Sequence, residues 1–431
     1  MKKLRRNLMN SASTIFIVIY LFTLLSAALE MVPISVAALL GAFLTVWFGL
    51  SYGVFTYEEA ITFIDIKILG LLIGTMIVFE VAYRSGLFRL MALYAIKISG
   101  GDPRLLFIFV CLTSAAVSMF LSDSTALLMI AAAATTISKF MDQNPAPYVV
   151  SAAIMVNLGG TSTLIGSVSN MVIGVNSGMS FTEFITYLAP CEFILWALTM
   201  AVLYFMYKRA LGKKKVVPAY DPWESVEDRS LFNKSALLLV LFLGLFIVHD
   251  RLNLSPEAVA LGCAVLALSL SNLDPSEIFR SLDWETIFFL SGFSIIVKGL
   301  EGTGLLTNLS QTFLEVSGNN PLFATVILLW VSGLASSVVS NIAVALTFAP
   351  MIQEIHGFNT SALWSALVLG TNLGGAATPM SGVVVVMAMN TLKREGATVS
   401  FGEFTKVGSL TTLIQLGFST VYLIFRFGLV G

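Results

Sequence analysis

The chain has 431 residues, of which 57% are apolar and 11% charged, with a formal net charge of -1. A soluble domain carries about twice that charged fraction, so a soluble enzyme is excluded, and no polar stretch is long enough for a separate domain outside a membrane. The near-neutral charge gives no footing for a nucleic-acid partner.

Apolar runs near the roughly 20 residues that a membrane span requires recur from end to end. The first pair covers 13–29 and 32–50, turning at Glu30-Met31-Val32-Pro33. The basic start, Met1 to Asn10, resembles a signal peptide but lacks a small-residue cleavage site, and is expected to stay in the mature protein. A third span covers 67–83. In Ser85 to Gly100, Arg89 and Lys97 interrupt an apolar stripe, the pattern of a helix lying along the membrane surface.

Residues 104–140 are apolar but broken by Ser122-Asp123-Ser124-Thr125. One span of that length overshoots a bilayer, so a re-entrant hairpin with a polar tip is expected. The next segment, 147–175, is interrupted by Asn157-Leu158-Gly159-Gly160-Thr161-Ser162-Thr163. Adjacent glycines at membrane depth need protein or a water-filled cavity around them, so this run is read as the unwound middle of a broken helix. A span at 187–207 follows. The polar linker 208–234, with Lys213-Lys214-Lys215 and then Asp221, Glu224, Glu227 and Asp228, divides the chain near its midpoint.

The second half repeats the plan. Spans are expected at 235–250, 256–272 and 284–300, then a surface helix at 303–317 and a hairpin at 321–353 with Ser340-Asn341 at its tip. A broken helix at 360–391 contains Asn372-Leu373-Gly374-Gly375-Ala376-Ala377-Thr378, and a last span lies at 407–427. Ser99-Gly100-Gly101-Asp102-Pro103 answers to Ser317-Gly318-Asn319-Asn320-Pro321, and Ser122-Asp123 to Ser340-Asn341, both offset by 218. The glycine runs are offset by 215, and the capping boxes Ser180-Phe181-Thr182-Glu183-Phe184 and Ser400-Phe401-Gly402-Glu403-Phe404 by 220. Four matches in order at nearly one spacing indicate an internal duplication.

The expected fold is an all-α polytopic membrane protein. It has a first repeat at 1–207, the linker, and a second repeat at 235–431, each with five spans, one hairpin and one broken helix. Five crossings is an odd number, so the second repeat is inverted. Placing the linker in the cytoplasm, under a plasma membrane, puts 16 of the 24 Lys and Arg residues inside. Lys2, Lys3, Arg5 and Arg6 then fall outside, against the trend.

The two tips and two broken helices are expected to converge at the midplane. Free N–H groups at half-helix starts suit an anion or an oxygen-rich solute. Hydroxyls at Ser122, Ser124, Thr161, Ser162, Thr163, Ser340, Thr378 and Ser381, amides at Asn157, Asn341 and Asn372, and the backbone at Gly159, Gly160, Gly374 and Gly375 form the expected solute site. Isolated hydroxyls usually bond back to their own helix; the duplicated clusters argue for binding here. Asp123 is a functional candidate by its depth, either taking up a proton or ligating a cation such as sodium. The bland alternative is a cap on the second hairpin arm. Glu80 and Glu192 are expected to reach the interface, and His249 and His356 to be solvated. Cys111, Cys191 and Cys263 have no metal-type spacing and are read as packing residues. There is no phosphate loop, nucleophile elbow or metalloprotease His pair, so neither catalysis nor a cofactor is expected.

At these residues the chain resembles the ion-transporter superfamily: arsenite/antimonite pumps of the ArsB type, NhaD-type sodium–proton antiporters, the melanosomal P protein, and dicarboxylate and sulfate carriers. The resemblance covers nearly the whole chain. It is carried by Ser122 to Leu127, Asn157 to Gly166, Ser340-Asn341 with Ala349-Pro350, and Asn372 to Gly375. One acidic tip, one amide tip, and Ser167-Val168-Ser169-Asn170 where many members have Asp-Pro-Pro-Asn, come nearest the arsenite-pump pattern. The resemblance implies an elevator-type secondary transporter exporting arsenite or antimonite against protons, with a sodium-coupled anion carrier or sodium–proton antiporter as the alternative. A homodimer and a separate ATPase subunit are left open as partners.

Overall fold

The computed structural model describes residues 2–28, 31–214, 221–356, 359–380 and 382–428. Among these residues all regular structure is helical. The first ten helices are α1 (Lys2–Ala28), α2 (Ile34–Tyr52), α3 (Tyr57–Ile61), α4 (Ile66–Arg84), α5 (Leu87–Ser99), α6 (Pro103–Ser118), α7 (Asp123–Phe140), α8 (Ala146–Gly160), α9 (Val168–Ser177) and α10 (Phe181–Tyr207). After a 3-10 turn at Pro222–Ser225 come α11 (Arg229–Val248), α12 (Pro256–Ser271), α13 (Pro275–Ser281), α14 (Trp284–Gly302) and α15 (Leu305–Val316). The chain ends with α16 (Pro321–Ser336), α17 (Asn341–Gln353), α18 (Ser361–Gly374), α19 (Val383–Arg394) and α20 (Phe401–Gly428).

Short polar residues mark the helix starts, because a side-chain oxygen there satisfies backbone N–H groups that have no partner within the helix. Asp65, Asp102, Asp228, Asp283 and Asn320 each accept from N–H groups of the following turn. Ser180 forms a full capping box with Glu183, and the Ser400–Glu403 bonds have the same pattern. Five stretches among the described residues are long and apolar enough to cross a membrane alone, and α14 with α15, bent by 75°, makes a sixth. The helices of the two hairpins and two broken segments are shorter.

Two short helices, α3 and α13, were not expected. Their first residues, Tyr57 and Pro275, are offset by 218, and each helix enters behind a capping residue, Thr56 and Asp274. The halves interlace: α2 packs on α14 and α4 on α12. Both crossings are close. A Cβ on Gly74 would sit 2.6 Å from the backbone of Ala260, and one on Gly292 2.8 Å from that of Ala38.

Polar contacts tie helix ends together. Arg84 pairs with Glu277 at 2.8 Å, Lys139 with Glu395, and Lys234 donates to the Leu270 carbonyl at 3.0 Å. Gln353 donates to the Asn176 carbonyl at 2.9 Å, and Tyr422 to that of Tyr187 at 2.7 Å. His249 is buried rather than solvated: its Nδ1 meets the Leu254 carbonyl at 3.0 Å, and the Phe181 N–H approaches Nε2 at 3.4 Å. His356 is exposed. Glu80 is held by Arg84 at 2.8 Å. Glu192 does not reach an interface; it is fully buried. All three cysteines are buried.

Candidate functional site

Four helix N-termini and four C-termini come together in the interior. In the first hairpin α6 ends at Ser118, a turn covers 119–122, and α7 begins at Asp123. Ser122 is the N-cap: its hydroxyl accepts from the Thr125 N–H at 3.4 Å and lies 2.9 Å from Thr125 Oγ1. Asp123 is therefore not the cap. Its Oδ1 accepts from Ser118 Oγ at 2.9 Å, and a Cβ on Gly160 would come within 2.8 Å of it. The carboxylate thus lies directly against the end of the first broken helix.

The glycine run sits one turn earlier than expected relative to the break. Asn157 to Gly160 still belong to α8, and the irregular segment is 161–167. Gly159 serves packing, because a Cβ there would lie 2.2 Å from the Ala115 carbonyl oxygen of α6. Asn372 to Gly374 likewise close α18, with the break starting at Gly375.

The two broken helices are bonded to each other through buried amides. Asn157 Nδ2 donates to the Asn372 carbonyl at 2.7 Å, and Asn372 Nδ2 to Asn170 Oδ1 at 2.7 Å. Ser169 Oγ donates to Asn372 Oδ1 at 2.9 Å. Asn170 Nδ2 in turn bonds the Gly160 and Thr163 carbonyls at 3.0 and 2.7 Å, holding the break in shape. Each break is also bonded to the hairpin of its own half: Thr163 Oγ1 to the Met119 carbonyl and Thr378 Oγ1 to the Ser337 carbonyl, both at 2.7 Å.

Of the expected site residues, the structure joins Asp123, Gly160, Thr163, Asn157, Asn372, Gly375 and Thr378 into this cluster; Asn157 Oδ1 lies where a Cβ on Gly375 would be 3.2 Å away. Thr161 bonds back to the Asn157 carbonyl of its own helix. Ser162 is buried with an unpartnered hydroxyl. Ser124, Ser340 and Asn341 sit half-buried at the tips without contacts to the amide cluster, and Ser381 lies outside the described residues. Ser169, Asn170 and Ser118 are additions that the sequence reading lacks. In the sequence Ser169 and Asn170 are visible only within the run that stands where many superfamily members have Asp-Pro-Pro-Asn.

Ser122 caps α7, whereas α9, α17 and α19 have no side-chain cap among the described residues. Free N–H groups therefore face the interior and favour a ligand rich in oxygen. No Lys or Arg occurs in 118–125, 157–170, 336–341 or 371–382, so the fixed charge of the cluster is the Asp123 carboxylate.

A cavity of about 1040 Å³ lies beside the linker. It is bounded by the end of α4, by α5, by Ser225 to Asp228, and by the face of α7 carrying Leu128, Ala132, Thr136 and Phe140. Leu128 is five residues past Asp123, about 7 Å along the helix. At about 100° per residue, however, these lining positions of α7 lie on the far side of the helix from Asp123.

A family profile described as citrate transporter, CitMHS, matches residues 17–357. An uncharacterised transporter of Mycobacterium tuberculosis is 30% identical over 430 residues, covering 96% of this chain and 98% of its own. The arsenical pump membrane protein of Escherichia coli is 24% identical over 372 residues, covering 83% of each chain. Among solved structures, the YdaH transporter of Alcanivorax borkumensis aligns with a TM-score of 0.66 at 16% identity, over 88% of this chain and 89% of that one. These matches join an all-helical, multi-pass transporter fold to a sequence relationship spanning most of the chain. The protein is a membrane transporter belonging to the CitMHS citrate-transporter family, within the ion-transporter superfamily.

Proposed function

We propose that the chain is a secondary active carrier that exports arsenite or antimonite in exchange for protons. The observation that carries this reading is the charge of the cluster: a single carboxylate, Asp123, set against uncapped helix starts, with no cationic side chain in the four runs. A multiply charged anion would meet a negative charge and no counter-ion. Neutral arsenous acid brings three hydroxyls, which match amides and hydroxyls and need no counter-charge. The relationship to an arsenical pump membrane protein agrees with this choice.

In this reading residues 1–207 and 235–431 are inverted repeats joined by a cytoplasmic linker at 208–234, in the plasma membrane. The alternation of crossings puts Arg84, Glu277, Lys139, Glu395, Lys234 and Leu270 on the linker side. It puts Asn176, Gln353, Tyr187 and Tyr422 on the other. Every one of these contacts joins ends assigned to the same side, which supports the inversion. The amide bonds between α8–α9 and α18 favour movement of hairpins and broken helices as one body, an elevator, against the interlaced α2, α4, α12 and α14.

The test is transport in liposomes. Purified protein should show saturable arsenite counterflow, with protons moving opposite to a net arsenite flux; its absence would reject the substrate. The second reading is a citrate or other anion carrier coupled to sodium, favoured by the three uncapped helix starts and by the family description. A sodium-dependent thermal shift with citrate, and none with arsenite, would select it.

A further inference from the structure

Among the described residues, Glu192 is the carboxyl most fully withdrawn from solvent. It lies in the twelfth position of α10, its side chain is fully buried, and neither carboxyl oxygen has a hydrogen-bond partner. Nothing in the packing requires an acid. A buried polar group left without a partner is destabilising, and an uncompensated charge more so. An ionisable side chain kept under those terms within a membrane segment points to function.

Its position follows from the repeat. The offset of 220 between the capping boxes makes Thr412 the counterpart of Glu192, and the offset of 215 between the glycine runs makes Ala377 that of Ser162. On α20, Gly408 packs against the Ala376 and Ala377 carbonyls, Ser409 bonds Ala377, and Thr412 donates to the Leu373 carbonyl at 3.1 Å. That face thus covers the back of the second break with its polar groups satisfied. The corresponding position on α10 is Glu192, and the first break holds a second buried, unpartnered group, the Ser162 hydroxyl. The first half therefore carries two unsatisfied oxygen groups where the second carries a methyl and a satisfied hydroxyl.

We propose that Glu192 is a proton-binding site of the carrier, separate from Asp123, that travels with the broken helices and adds a second proton to the exchange. The site takes up a proton on a carboxylate oxygen and releases it again when the carrier exposes it to water. The charged and titratable groups around it lie elsewhere along α10. Tyr422 and Arg426 of α20 are at Tyr187, His249 beyond α11 is at Phe181, and Glu403 is near Tyr207. Cys191 is adjacent and directed to Ser419, α6 carries Cys111 and, in its first turn, Arg104, and α8 offers only Tyr148 at its far end. Arg229 and Lys234 lie in the first two turns of α11, and Lys406 in the second turn of α20. No counter-ion is thereby supplied.

The second-proton role rests on the proton-exchange reading above, whereas proton binding itself is readable without any solute. In the infrared difference spectrum of the full chain between acid and alkaline buffer, the carbonyl band of an unbonded carboxylic acid should be present. It should vanish in Glu192→Gln and persist in Asp123→Asn. In liposomes with an arsenite gradient, the proton-to-arsenite ratio should fall by half in Glu192→Gln. Wild-type protein that moves no arsenite but shows the Glu192 band defeats the exporter reading and keeps the proton site. A band unchanged by Glu192→Gln, or a sodium-induced thermal shift lost in that variant without any infrared change, overturns the proton site. If Glu192→Gln does not fold, Glu192→Asp should retain the acid band at a displaced frequency; an unmoved band refutes the assignment.

Discussion

The side-chain amide of Asn157 donates to the backbone carbonyl of Asn372 at 2.7 Å, joining two positions that are equivalent in the repeat. Asn372 returns the contact less directly, through Asn170 and Ser169. Removing Asn372 strips partners from both of those buried groups, whereas removing Asn157 frees only one carbonyl. Asn372→Ala should therefore destabilise the protein by about 1–3 kcal/mol and Asn157→Ala by less. Thermal unfolding in detergent ranks them, and equal losses would argue against the network as drawn.

Gly159 and Gly160 are adjacent but should respond differently to alanine. At Gly159 the new Cβ meets a backbone carbonyl at 2.2 Å, which cannot move without displacing α6. Overpacking of that kind costs about 1–3 kcal/mol or more, so Gly159→Ala should lower expression and thermal stability. At Gly160 the nearest obstacle is the Asp123 carboxylate at 2.8 Å, a side chain that can turn aside, and the next is the Gly166 carbonyl at 3.1 Å, which need give by only a few tenths of an ångström. Gly160→Ala should fold, and lose transport. A variant pair in which Gly160→Ala transports normally would remove Asp123 from the site.

Asp123→Asn keeps an oxygen for the Ser118 hydroxyl and removes the charge. Size-exclusion profile and unfolding temperature should stay close to wild type, while proton-coupled arsenite efflux from liposomes should cease. Full coupling in this variant would defeat the role given to Asp123.

Sidedness is open to a direct measurement, because the native cysteines are buried and should stay silent to an impermeant maleimide. Gln353→Cys should be labelled from outside intact cells, and Glu395→Cys only after the membrane is opened. The reverse pattern would invert the proposed topology.

What is legible in the sequence is whatever lipid makes costly. Polar residues inside apolar runs mark the first tip and both breaks, since each needs a protein or water environment. Their duplication at a nearly constant offset gives the order of elements. The boundary of the breaks is not legible, because glycine signals two things, unwinding and close approach, and Gly159 is used for the second. Ser169 and Asn170 stand out only as a departure from a family pattern; the amide lattice they join links distant parts of the chain and has no local signature. A hydropathy trace puts His249 and Glu192 at the surface, because it does not say which face of a helix meets protein. The helices α3 and α13 are too short to alter such a trace.

The interlacing of the halves bears on how the protein is made. When α2 and α4 enter the membrane, the surfaces they need, on α14 and α12, have not yet been synthesised. The same holds for α7, which packs on α19, and for α9, which packs on α17. Asn157 and Ser169 meanwhile wait beside lipid or water for Asn372. The first half thus emerges from the ribosome as an unfinished bundle with exposed amides. Its survival until Asn372 is threaded is a kinetic requirement on biogenesis that the stability of the completed fold cannot meet.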